Sequence, residues 1–253
     1  MNKTIVIANQ KGGVGKTTTV INLAIALGKL KQKVLLVDFD PQANTCSGLN
    51  ITPDQGNGIY EMIINKAPVT NIIKKTLYQN IDILPSDQEL AGAQVELVNT
   101  IARENKLNES LEPVREKYDY ILIDTPPSLG LLTLNALVAA DSVLIPIQCE
   151  YYALEGIAQL LNTIKMIKND INPRLQIEGV CLTMFDTRTN LSREVMENIV
   201  AHFKEKTYKT IIPRNIKLSE APSYGKPIQD YQPQSLGAQA YNKLAEEFLD
   251  KQE

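Results

Sequence analysis

Histidine is almost absent from this chain of 253 residues. The one present, His202, falls beside Phe203 on an expected helix surface with no supporting constellation, which argues against a histidine-based catalytic or metal centre. Cysteine is scarce too. Cys46, Cys149 and Cys181 are far apart, odd in number and free of any C-x-x-C pair, so a disulfide framework or zinc site is not expected and a reducing cytoplasm is. No run of about 18 apolar residues offers a transmembrane helix. The N-terminus reads directly into a strand, without a charged-then-apolar leader. Internal repeats, low-complexity tracts and linkers are lacking as well. A net charge of −3 argues against a protein wrapped wholesale in nucleic acid. Its distribution is uneven: residues 182–226 hold eight Lys/Arg against five Asp/Glu. That segment reads either as a modest basic face on an acidic body or as ordinary solvated surface.

What is present is ordinary for a soluble globular protein, 43% hydrophobic and 22% charged, and long enough for a substantial core. Short apolar runs at residues 4–8, 33–38, 81–84, 120–124, 142–147 and 176–184 read as strands, several of them buried on both faces. Helices are expected between them. Val20, Leu23, Ala24 and Leu27 stripe a helix over 17–29; residues 131–140 and 152–168 read as two more. Ser86-Asp87-Gln88-Glu89 has the capping-box pattern and predicts a helix from there to about Arg103. Leu191, Val195, Met196, Ile199, Val200 and Phe203 form another helical face, Ile211-Ile212 a short strand, and Leu236, Ala240, Tyr241, Leu244, Ala245 and Phe248 a terminal helix. Strands alternating with helices predict an α/β fold, a doubly wound and mostly parallel sheet flanked by helices, over a single domain of residues 1–253. Ligands in such sheets bind beyond the carboxyl ends of the strands.

One loop there carries unmistakable chemistry. Lys11-Gly12-Gly13-Val14-Gly15-Lys16-Thr17-Thr18 lies between the first strand and the first helix. Such a turn aims backbone N–H groups at one point, suited to a polyphosphate and its magnesium ion. Gly15-Lys16-Thr17 matches the end of the P-loop pattern, but the opening glycine is replaced by Gln10, and Lys11 is additional. Lys16 is expected on the β- and γ-phosphates and the Thr17 hydroxyl on magnesium. Asp124 ends the apolar strand Tyr120-Ile121-Leu122-Ile123 in a Walker B arrangement, holding the metal directly or through water. The Thr125-Pro126-Pro127 turn after it is a candidate switch segment responding to the γ-phosphate. Val37-Asp38-Phe39-Asp40-Pro41-Gln42 delivers two further acids whose spacing by two puts them on one side. Two roles are open to them, orienting the attacking water and helping to hold the metal's water shell, and Asp40 is a candidate for both.

The three segments K-G-G-V-G-K-T-T, V-D-F-D-P-Q and I-D-T-P-P together resemble the deviant-Walker P-loop ATPases of the ParA/MinD superfamily. Asp186-Thr187-Arg188-Thr189-Asn190-Leu191 and the run from Ile212 to Ser223 resemble its chromosomal ParA (Soj) branch, so the likeness spans essentially the whole chain. The resemblance implies a P-loop NTPase fold, ATP and Mg2+ as cofactors, and a nucleotide sandwich homodimer formed on ATP. It implies Lys11 as the signature lysine reaching across the dimer to the partner's ATP, akin to an arginine finger. Asp40 corresponds to the residue that positions the hydrolytic water, and Pro213 and Asn215 fall at the adenine contacts. Arg188 and Lys217 match DNA-binding positions; Arg193, Lys204 and Lys206 are neighbours that could join them, as could Arg214 unless it faces the nucleotide. Double-stranded DNA bound without base readout and a ParB-like centromere-binding protein that stimulates hydrolysis are the implied partners. The implied location is cytoplasmic, on the nucleoid in the ATP state.

Two other classes share the loop. A MinD-like, membrane-cycling ATPase needs a basic amphipathic C-terminal helix, whereas Glu246, Glu247, Asp250 and Glu253 make this one acidic, so no stable membrane binding is expected. A nitrogenase-reductase-like electron carrier needs a suitably placed cysteine pair for a bridging iron–sulfur cluster, and Cys149 and Cys181 close different expected strands.

Overall fold

The computed structural model describes residues 2–54, 56–150 and 153–252. The chain runs β1 (Lys3–Ile7), α1 (Lys16–Lys29), β2 (Val34–Asp38), then three short helices α2 (Asn44–Gly48), α3 (Ile59–Ile63) and α4 (Val69–Ile72). It continues through β3 (Lys74–Lys75), β4 (Ile81–Leu84), α5 (Leu90–Glu96), α6 (Lys106–Leu111), β5 (Tyr120–Asp124), α7 (Leu131–Ala139) and β6 (Ser142–Gln148). Then follow α8 (Ala153–Asp170), β7 (Gln176–Thr183), α9 (Asn190–Phe203), α10 (Ile216–Glu220), α11 (Ile228–Tyr231) and α12 (Leu236–Asp250). Tyr152, the expected start of α8, lies outside the described residues.

The strands form one seven-stranded sheet in the order β3-β4-β2-β5-β1-β6-β7. Every pairing is parallel except that of β3 with β4. The core follows from the two-residue period of a strand. Ile5, Ile7, Val34, Leu36, Leu122 and Leu144 point to one face of the sheet, where α1 and α12 cover them. Val6, Leu35, Val37, Ile121, Ile123, Val143 and Ile145 point to the other, beneath α7 and α8. Apolar side chains on both faces are what a parallel sheet requires.

The apolar stripe of α12 is thus core: Tyr241, Leu244, Ala245 and Phe248 are buried. The Tyr241 and Thr19 hydroxyls lie 3.1 Å apart, and Phe248 meets Tyr120 edge-on at 5.1 Å. Among the described residues, no helix is long and apolar enough to cross a membrane.

Three expectations need correction. The Ser86 hydroxyl is fully buried and caps nothing; Asp87 Oδ1 accepts from the Glu89 N–H instead, and the helix starts only at Leu90. It ends long before Arg103, because its buried stripe Leu90, Ala93, Leu97 finds no further partner in phase: Ile101 is exposed. β7 ends at Thr183 rather than Met184, whose φ of 52° breaks the extended run. Ile211-Ile212 forms no strand of its own; single bridges join Thr207 to Val180 of β7 and Pro213 to Phe185 just beyond its end.

Candidate functional site

The carboxyl ends of β1, β2 and β5 converge, with Ile7 and Asp38 both in register with Asp124. After β1 the chain is gripped by Asn9, whose amide donates to the Pro146 carbonyl at 2.7 Å while its Oδ1 accepts from the Lys11 N–H at 3.0 Å. From β7, the Thr183 hydroxyl donates to the Val14 carbonyl at 2.8 Å. Between these anchors Gly13 and Gly15 take φ values of 74° and 89°. Only glycine adopts these without strain, and the resulting turn leads straight into the N-terminus of α1.

Lys16 is buried, and its ammonium donates to the Lys11 carbonyl at 3.2 Å. Burial pushes its pKa down, while the nearby carboxylates of Asp124 and Asp40 oppose that shift. Lys11 turns outward instead, its ammonium 3.2 Å from Glu150 Oε2. The two lysines of one loop therefore face different environments.

The three acids also differ. Asp40 is buried but lines a cavity of about 360 Å³ with Gly12, Gly13, Lys16, Thr17 and Thr18. Asp124 lies wholly inside; burial raises its carboxyl to about 6, against hydrogen bonds from Thr17 and Thr45 that favour the charged form. Asp38 is equally buried, and burial together with the neighbouring Asp124 raises it to about 7. Its Oδ2 accepts from the Cys46 N–H at 2.8 Å, and its Oδ1 has no partner. Asp38 and Asp40 do not share one side as their spacing suggested. The strand ends at Asp38, and the turn beyond it swings Asp40 alone into the cavity.

A buried carboxylate held by two hydroxyls, beside a buried lysine and a glycine turn that opens a helix, suits a hydrated magnesium ion and a polyphosphate. Among the described residues there is no cluster of three or more His, Cys, Asp or Glu arranged as a metal cage.

A second chamber of about 470 Å³ adjoins the first, sharing Gly15, Thr18, Met184, Leu218 and Pro222. Pro213 and Asn215 line it, so residues remote in sequence reach the phosphate loop. The Asn215 side chain itself caps α10, accepting from the Lys217 N–H at 2.8 Å.

The expected basic patch divides. Arg188 is exposed, and its guanidinium pairs with both oxygens of Asp186, Nε to Oδ1 at 2.9 Å and Nη2 to Oδ2 at 2.6 Å. Those bonds hold the Asp186 carboxyl well below the usual carboxylate range. Arg193 is close by, donating to the Thr187 carbonyl at 3.0 Å. Lys217 pairs with Glu220 at 2.8 Å. Lys204 and Lys206 lie at the far end of α9, and Lys206 lines a cavity with Lys3 and Ser142, at the opposite rim of the sheet from the phosphate loop. The helix of 14 residues, about 21 Å long, separates these lysines from Arg188.

Sequence reading missed Asn9, Thr45 and Thr183. Each is a common polar residue without a motif of its own, and only the fold shows what it grips. All three cysteines are free and buried.

These features define a P-loop nucleotide-binding α/β protein. Residues 2–177 match a family model described as an AAA domain. The sporulation initiation inhibitor protein Soj of Bacillus subtilis is 56% identical over 248 residues, covering 98% of either chain. The chromosome partitioning protein ParA of Myxococcus xanthus is 51% identical over 250 residues, covering 98% of this chain and 88% of that one. A cobyrinic acid a,c-diamide synthase structure from Mycobacterium smegmatis, with bound ADP and magnesium, superposes with a TM-score of 0.86 at 34% identity, over 100% of this chain and 96% of the other. The chain belongs to the Soj/ParA family of chromosome-partitioning proteins.

Proposed function

We propose that the chain is a Mg2+-dependent ATPase of DNA partitioning, slow alone, that dimerises on ATP and holds double-stranded DNA without reading its bases. Lys11 carries this reading. Its ammonium pairs with the exposed Glu150 while Lys16 occupies the loop, which supports a role toward a partner's nucleotide. Lys16 and the loop N–H groups would bind the phosphates, with Thr17 and Asp124 holding the metal and Asp40 orienting the attacking water and helping to hold the metal's water shell. Mg2+ held there would neutralise phosphate charge. Pro213 and Asn215 would flank the adenine.

Dimerisation would align two faces carrying Arg188, Arg193 and Lys217, so that a chain of net charge −3 binds phosphates through paired patches. Lys204 and Lys206 stand on another rim and add to the field, not to that patch. A ParB-like partner would stimulate hydrolysis and release monomers, returning a nucleoid-associated protein to the cytoplasm. The likeness to Soj and ParA proteins supports this reading.

Retention on non-specific DNA tests it: ATP is expected to retain the protein, ADP not, and Asp40→Ala to lock it on. Equal retention with both nucleotides overturns the switch. The membrane-cycling alternative would need the α12 stripe free, yet that stripe packs on α1. Sedimentation with anionic liposomes in ATP is expected to leave the protein in the supernatant.

A further inference from the structure

We propose that Thr45 is a positioning residue. Its hydroxyl orients the Asp124 carboxylate toward the metal and ties that carboxylate to the loop carrying Asp40. The inference rests on the reading of this site as a Mg2+-nucleotide site.

Thr45 Oγ1 donates to Asp124 Oδ2 at 2.8 Å, and both residues are wholly buried. The other oxygen, Oδ1, accepts from the Thr125 N–H at 3.1 Å. A donor on each oxygen holds the carboxylate in one orientation, beside Lys16 and bonded also by the Thr17 hydroxyl.

The same bond constrains Asp40. The Phe39 N–H donates to the Asp124 carbonyl at 3.1 Å, so the Asp40 loop leaves Asp124 at one end and returns to it at the other through Thr45. Within the loop the Ala43 N–H donates to the Asp40 carbonyl at 2.9 Å, and Ala43 takes a φ of 50°. A left-handed conformation at a non-glycine residue is held only where its surroundings dictate it. Beside Thr45, the Cys46 N–H grips Asp38. Successive residues of α2 thus clamp the acids that end adjacent strands. A shift of the metal's carboxylate would move the water-orienting acid with it.

Thr45→Val keeps the shape and removes the donor, whereas Thr45→Ser keeps the donor. Outer partners of metal-binding groups typically contribute roughly 10- to 100-fold in metal affinity. Calorimetric titration of Mg2+ into the ADP-bound protein, which needs no hydrolysis, is expected to show a loss of that order for Thr45→Val. ADP affinity without Mg2+ should stay unchanged, kcat should fall with KM for ATP little altered, and Thr45→Ser should restore all of these. Wild-type Mg2+ affinity in Thr45→Val overturns the proposal, as does equal impairment of the serine variant. Should the valine variant fail to fold by circular dichroism, Thr45→Cys replaces it, with a smaller loss expected and the same two outcomes overturning. An ADP complex of the wild-type protein that ignores Mg2+ refutes the metal-site reading itself.

Discussion

Lys11 and Glu150 form an ion pair within one chain, Nζ to Oε2 at 3.2 Å, with both side chains exposed. Glu150 also receives the Gln148 side-chain amide. If Lys11 must reach a partner's phosphates, Glu150 competes for it in the monomer. Exposed pairs of this kind contribute about 0.2–1 kcal/mol. Each of the two subunits holds one such pair, so Glu150→Gln is expected to lower the dimer dissociation constant in ATP by roughly 2- to 30-fold. Sedimentation velocity in an Asp40→Ala background checks this; a weaker dimer contradicts it.

Asp38 and Asp124 make a pH prediction. Their carboxyls, at about 7 and about 6, lie above the unfolded value near 3.9, so the folded state binds more protons than the unfolded one. The contribution of these groups to stability is then greatest below about pH 4 and is lost as pH rises toward 7. Asp38→Asn removes part of that loss and is expected to gain in urea midpoint over the wild type on going from pH 5 to pH 8. A difference that does not change with pH contradicts the burial argument.

At the proposed DNA face, Asp186 neutralises Arg188 through its two oxygens. Arg188→Glu is expected to abolish ATP-dependent retention on DNA. Asp186→Asn is expected to strengthen it and to steepen the salt dependence by up to about 0.9 for each of the two phosphate contacts released in the dimer. The gain should vanish in an Arg188→Ala background. Survival of the gain there would mean that Asp186 acts through general charge instead.

Leu244 lies in the α12 stripe, wholly buried against α1. Leu244→Ala is expected to destabilise the chain by about 2–5 kcal/mol in denaturant titrations, as for other buried leucines. A surface-bound stripe held free for a membrane would cost far less to truncate.

Much of the architecture is written in local patterns. The parallel strands announce themselves as apolar runs between helices, and the loop from Lys11 to Thr18 is legible because its glycines, lysine and hydroxyl act at fixed spacing along one turn. Asp124 is legible for the same reason, as the last residue of its strand. The capping pattern at Ser86 misled because Ser86 is buried and Asp87 made the local turn instead. Stripe length, not the cap, set the extent of α5.

Local spacing determined the nucleotide loop, the sheet and the family likeness. Tertiary structure alone decided that Asp38 is buried while Asp40 faces the cavity, and that Pro213 and Asn215 come to the phosphate loop. It also set Lys204 and Lys206 on a different rim from Arg188, and gave Asp124 the hydroxyl of Thr45, 79 residues away. The reason is physical. Periodicity records which face of an element is buried, but contacts between distant segments depend on how helices of particular length cross the sheet and where each connection ends.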